Sequence, residues 1–203
     1  MPGTPRPQGR RERNKQDKLE RITAAARELF AERGVDDVTT QEIAERADIG
    51  AGTLFLYARS KGELLLLVQN AAYGEALARG VQAAGSATDV VDAVLAIVRP
   101  VVECNRRQVD NGRTYLREMV FGDPEEPHHR EALTIAGQTE EAVADVLRRH
   151  GGVHDDDAAS LARVVSAVMF LAMAASVSVD AGVDDLVADI RRQVGAVLRP
   201  AAR

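Results

Sequence analysis

The chain has 203 residues, with 26 Lys+Arg against 31 Asp+Glu and a formal net charge of −5. That length allows one large or two small domains with a real core. A single cysteine, Cys104, excludes an internal disulfide framework and a structural zinc site built on several thiolates. There is no Trp, and aromatics are only 3% of the chain.

The charge is uneven. Residues 1–62 carry a net +2 and residues 63–203 a net −7, and all three lysines, Lys15, Lys18 and Lys61, lie in the first part. A basic face can meet nucleic acid while the rest of a molecule is acidic, because the local field decides. The N-terminal arginines are not followed by an apolar run, so no signal peptide is expected and a cytoplasmic location is.

Residues 1–14, MPGTPRPQGRRERN, hold three prolines, two glycines and four arginines and read as a flexible basic arm. Arg10, Arg11 and Arg13 in it suit phosphate or minor-groove contacts. A first helix is predicted over Lys15–Arg33, with Leu19, Ile22, Ala26, Leu29 and Phe30 as its apolar stripe and Gly34 as its stop. A helix-turn-helix follows at 39–58. Its first helix, Thr40–Ala47, buries Ile43, Ala44 and Ala47. Thr39 or Thr40 caps it, and Glu42 stands at capping-box spacing from Thr39. Asp48, Ile49 and Gly50 make the turn. The second helix, Ala51–Tyr57, turns Leu54 inward together with Ala58. Ala51, Gly52, Thr53, Phe55, Leu56 and Tyr57 remain on its other faces. Small residues at the start allow close approach to a major groove, and Thr53 offers a hydroxyl and a methyl.

TTQEIAERADIGAGTLFLYARSK, with LERITAAARELFAERGVDDVTT before it, resembles the DNA-binding signature of the TetR family of bacterial transcriptional regulators. The resemblance covers roughly the first third of the chain. It implies an all-α fold: a three-helix DNA-binding domain at 15–74, then a helical effector-binding and dimerisation domain at 75–203, with about nine helices in all. It also implies a DNA-facing set of Thr40, Gln41, Ala51, Gly52, Thr53, Leu56, Tyr57 and Lys61. In the family, the positions matching Tyr57 and Lys61 touch phosphate. The expected function is a ligand-responsive repressor released from a palindromic operator. An activator or co-repressor-dependent regulator is the alternative within the fold.

A fourth helix starts near Lys61, with a stripe of Leu64, Leu65, Val68, Ala71 and Ala72; the domain boundary is expected between 75 and 88. Further helices are predicted over Thr88–Asn111, with a kink at Pro100, and over Thr114–Phe121. A loop, GDPEEP, leads to helices over His129–His150, Asp155–Asp180 and Asp184–Leu198. No strand alternation or internal repeat is visible. The uncharged run Val164–Val179 is 16 residues, short for a membrane span, and reads as a buried helix. That helix is apolar over most of its circumference, and the last helix covers only part of it. A four-helix homodimer interface is therefore expected, with Ala162, Ala172, Ala174 and Ala175 allowing close approach.

Candidate effector contacts are Cys104, Tyr115, Met119, Phe121, Met169 and Met173, adaptable apolar groups in the middle helices. Arg99, Glu103 and Arg117 are possible polar contacts. Scarce aromatics favour an aliphatic or small ligand over a flat cation. An enzyme or a scaffold without DNA activity is the competing class. Gly50–Gly52 lacks the third glycine and the preceding strand of a dinucleotide fingerprint, and neither G-x-S-x-G nor H-E-x-x-H occurs. His128–His129, His150 and His154 read as solvated loop positions rather than metal ligands. No cofactor or metal is expected.

Overall fold

The computed structural model describes residues 9–198. Among these the fold is all-α. Nine helices run as α1 (Arg10–Arg33), α2 (Thr40–Arg46), α3 (Ala51–Leu54), α4 (Lys61–Ala84), α5 (Val90–Arg106), α6 (Val109–Phe121), α7 (Pro127–Gly151), α8 (Asp155–Ala174) and α9 (Val183–Leu198). Helices α1–α3 form a head on the first turns of α4. Helices α5, α6 and α7 pack on the rest of α4, and α8 and α9 pack on these in turn, with α7 and α8 as an antiparallel pair and α9 against α5.

Several ends fall where the local chemistry dictates. Gly34, at φ 80°, closes α1 and donates its N–H to the Phe30 carbonyl. α2 opens on a complete capping box between Thr39 and Glu42. Pro127 starts α7 at a position that needs no N–H, and Gly152 ends it in the left-handed region.

Other ends differ from the sequence expectation. α1 begins at Arg10, so Arg10–Asn14 of the expected arm are helical; this stretch has no internal Gly or Pro to stop the helix. Residues 1–8 of that arm lie outside the described residues. The helix expected over Thr88–Asn111 is two helices, α5 and α6. Gln108 caps the second by accepting the Asn111 N–H. At that elbow a Cβ on Gly112 would stand 2.2 Å from the Asn105 carbonyl oxygen, so only glycine lets the helices pack this closely. α8 stops at Ala174, before a 3-10 turn at Ser176–Ser178, instead of reaching Asp180.

The core is continuous from head to body. Ile22, Phe30, Ile43 and Leu54 connect through Leu64 and Leu65 of α4 to Val98, Tyr115, Leu147 and Ile190. α4 runs unbroken across the expected boundary at 74–75 and serves both parts. Its buried face is wider than the expected stripe: Leu66 and Tyr73 are buried, whereas Ala71 is exposed.

α8 also departs from expectation. By length and composition it is the one described helix apolar enough to cross a membrane, yet only a third of its apolar window is buried. Ala162 and Ala172 face the chain's own core. The outward face carries Val164 and Leu171, 41% and 65% exposed, flanked by Leu161 and Val168, which are half-buried against the chain's own core.

Candidate nucleic-acid interface and effector cavity

The reading element is held from inside and open outside. Leu54 and Ala58 are buried beneath it. The expected seven-residue helix is one α-turn, Ala51–Leu54. Tighter turns continue it, in which the N–H of Leu56 reaches Thr53 and that of Tyr57 reaches Leu54. Gln41, Gly52 and Leu56 are exposed, and Thr40, Ala51, Thr53, Tyr57 and Lys61 are partly so. Leu56 stands 83% exposed at the tip. Asp48 takes φ 52° in the turn between α2 and α3, and Arg21 holds its carboxylate at 3.3 Å.

α1 contributes a wall, part of which falls in the stretch expected to be a flexible arm. Arg11, Asn14, Lys15 and Lys18 face Leu56 and Tyr57 across a groove. The Tyr57 hydroxyl donates to the Lys15 carbonyl at 3.3 Å. Lys61 is more than a candidate phosphate contact. Its ammonium donates to the carbonyls of Asp36 and Val38, both at 3.1 Å, and so ties down the loop between α1 and α2. Two of its three protons are thereby used, and one remains for an outside anion.

In the body, a cavity of about 370 Å³ lies between α4, α5, α6, α7 and α8. Tyr115, Met119, Met169 and Met173 line it, as expected. Cys104 and Phe121 do not. Cys104 lies in a separate cleft of about 330 Å³ between α1, α4 and the α5–α6 elbow, where burial pushes its thiol up. Phe121 ends α6 pointing outward, 80% exposed. Arg99 pairs with Asp184 and Glu103, and Arg117 with Glu118, away from the cavity.

Two of the chain's three tyrosines, Tyr73 and Tyr115, stack on its wall at 4.1 Å, and Phe170 joins them. Three of the chain's few aromatic rings thus meet at the cavity wall. Both hydroxyls are engaged: Tyr73 accepts from Asn105, and Tyr115 donates to Asn70. Burial pushes both phenols well up, so neither ionises at neutral pH. The polar lining residues Thr139, Glu140, Arg163 and Ser166 share one level of the α7–α8 pair, toward its connecting turn.

His128 and His129 are not loop positions. They lie in the first turn of α7 against the head, and His129 is 3% exposed. The described residues hold no cluster of three or more metal-ligating side chains.

A three-helix head with an exposed turn over residues 51–57, on an all-helical body with an apolar cavity, is a helix-turn-helix architecture. Residues 22–68 match the family model for bacterial regulatory proteins of the tetR family. Solved structures agree along the chain. Thermus thermophilus FadR, a TetR-family transcriptional repressor in complex with lauroyl-CoA, is 22% identical with a TM-score of 0.69, over 91% of this chain and 98% of that one. The TetR-family regulator PfmR, also from Thermus thermophilus, is 22% identical at 0.61, over 90% and 100%. The TetR-family regulator SCO4454 of Streptomyces coelicolor is 22% identical at 0.62, over 91% and 95%. No curated protein matches. The head thus carries the signature of the tetR family's N-terminal domain over residues 22–68, and the whole has the fold of solved TetR-family structures.

Proposed function

We propose that the protein is a homodimeric repressor that leaves a palindromic operator when an apolar small molecule fills the body cavity. Residues 15–74 read DNA, and residues 75–203 bind the effector and dimerise. Thr40, Gln41, Ala51, Gly52, Thr53 and Leu56 face the major groove; Tyr57 and Lys61, joined by Arg11, Lys15 and Lys18 of α1, meet phosphate. The observation that carries this reading is the reading turn itself, pinned by buried Leu54 and Ala58 while Leu56 stands 83% exposed beside the cations of α1.

The dimer forms through α8 and α9, with exposed Val164 and Leu171 at its centre. One reading turn spans only a few base pairs, and two of them read half-sites about one helical turn apart. The effector is an elongated molecule with an apolar body along the tyrosine stack and a polar head at the Glu140–Arg163 end. Support comes from the nearly all-apolar lining and from the acyl ligand held by the Thermus FadR structure. The protein works in the cytoplasm, on the nucleoid when operator-bound.

Selecting bound fragments from a random DNA pool, then repeating the binding with lauroyl-CoA, tests the reading. A palindromic consensus released by ligand is expected. No enrichment would reject the regulator, and tighter binding with ligand would make it co-repressor-dependent.

A further inference from the structure

A chain of hydrogen bonds, buried at the cavity end and partly buried beyond it, joins the cavity wall to the 51–57 turn. The Tyr115 hydroxyl donates to Asn70 Oδ1 at 2.9 Å. Asn70 Nδ2 donates to the His128 carbonyl and to Glu131 Oε2, both at 3.0 Å. The His128 N–H donates to Glu63 Oε1 at 2.8 Å, and its ring Nε2 lies 3.3 Å from the Tyr57 carbonyl oxygen. In the tautomer with its proton on Nε2, His128 donates to Tyr57. Beside it, Arg59 pairs with Glu126 at 3.0 Å, a carboxylate only 8% exposed.

We propose that Tyr115, Asn70 and His128 form a relay that sets the position of Tyr57 according to what occupies the cavity. Asn70 and His128 act as positioning residues and touch neither ligand nor DNA. The physical reason is that Asn70 is 1% exposed and Tyr115 is 2% exposed. Water cannot take over a bond broken there, and an orphaned buried polar group is costly. A guest that presses on the Tyr115 ring therefore moves its hydroxyl, and Asn70 follows or loses its partner. Asn70 carries the α7 first turn with it through the His128 carbonyl, and α7 holds Tyr57. The neighbouring cavity tyrosine is off this route, since Tyr73 bonds to Asn105 on α5.

That contrast supplies the test, which needs no ligand. Hydrogen exchange is followed on the full chain at Leu56, Tyr57 and Ala58, whose N–H groups bond back to Thr53 and Leu54. Tyr115→Phe removes one hydroxyl and keeps the ring. The relay predicts exchange at these amides at least about threefold faster in Tyr115→Phe, with Tyr73→Phe unchanged. His128→Ala, at a half-buried site, is the second variant, and coupling is reciprocal. It should speed exchange in the α6 segment around Tyr115, and His128→Gln, which keeps a donor, should restore it. Unchanged amides at 56–58 in Tyr115→Phe, or equal acceleration in Tyr73→Phe, would overturn the relay. The relay's regulatory use rests on the effector reading above. An operator indifferent to lauroyl-CoA would count against that reading alone, because the exchange result stands without ligand.

Discussion

Glu42, at the entrance to α2, serves two partners at once. Arg33 donates to one carboxylate oxygen at 2.8 Å, and the Thr39 N–H and hydroxyl donate to the other. The Arg33 bond first, then the Thr39 bonds, hold its carboxyl at about 2, well below the usual carboxylate range. A depressed carboxyl stabilises the fold above its ordinary pKa and loses that contribution as pH falls through the folded value. The head should therefore weaken between about pH 4.5 and pH 2, and Arg33→Ala should flatten that acid limb in melts read across the range. The pair is partly exposed, so salt should shrink the difference. Thr39→Ala removes the cap itself and should cost about 0.5–2 kcal/mol at neutral pH in chemical denaturation. Lys61 makes a different forecast. Lys61→Ala should weaken binding to every DNA sequence and reduce the salt slope by about one, while also lowering the melting temperature through the freed Asp36–Val38 loop. A slope equal to the parent's would confine Lys61 to the loop.

Among the elements, α4 and α5 meet closely at Gly80, where a Cβ would lie 2.8 Å from Ile97 Cα and 2.9 Å from its carbonyl oxygen. Backbone atoms cannot rotate aside. Gly80→Ala should cost about 1–3 kcal/mol by forcing α4 and α5 apart, measured by denaturant unfolding. Elements whose signals are local were legible in the sequence: the capping box of α2, the Gly34 stop, and the Leu54–Ala58 spacing. Elements whose ends are set by distant contacts were not. The polar run Asn105–Gln108 holds no Gly or Pro to stop a helix, and only the approach of Gly112 to Asn105 shows why the chain turns there. α3 is four residues rather than seven because Leu54 and Ala58 face inward equally well in a helix or a tight turn, so periodicity could not separate the two. Arg99 and Arg117 lie on helices beside the cavity but pair away from it, Arg99 with Glu103 four residues on and with distant Asp184, and Arg117 with its neighbour Glu118. Cys104 and Phe121 were misplaced for a similar reason: residue type suggested a lining role, but helix rotation decides which way each points.

For the whole molecule, the exposed stripe on α8 makes the sharpest demand. If it is the centre of a dimer, Leu171→Glu should convert a dimer to monomers in sedimentation at micromolar concentration and abolish cooperative operator binding. A parent that sediments as a monomer would leave that stripe without the proposed role. The body's cavity was only partly legible, since Tyr115, Met119, Met169 and Met173 were found by residue type, whereas Tyr73, Arg163 and Phe170 needed the packing of five helices.

α4 begins under the DNA-reading turn and ends, 24 residues on, beyond the cavity with no break. At about 1.5 Å per residue it is a rod roughly 36 Å long. A tilt of only about 5° around its distal end would swing the Lys61 end by roughly 3 Å, close to the rise of one base step of about 3.4 Å. In the proposed dimer, two such levers mirrored across a symmetry axis would shift the half-site spacing by about twice that, and a guest of modest size would put the reading turns out of phase with the operator without unfolding anything.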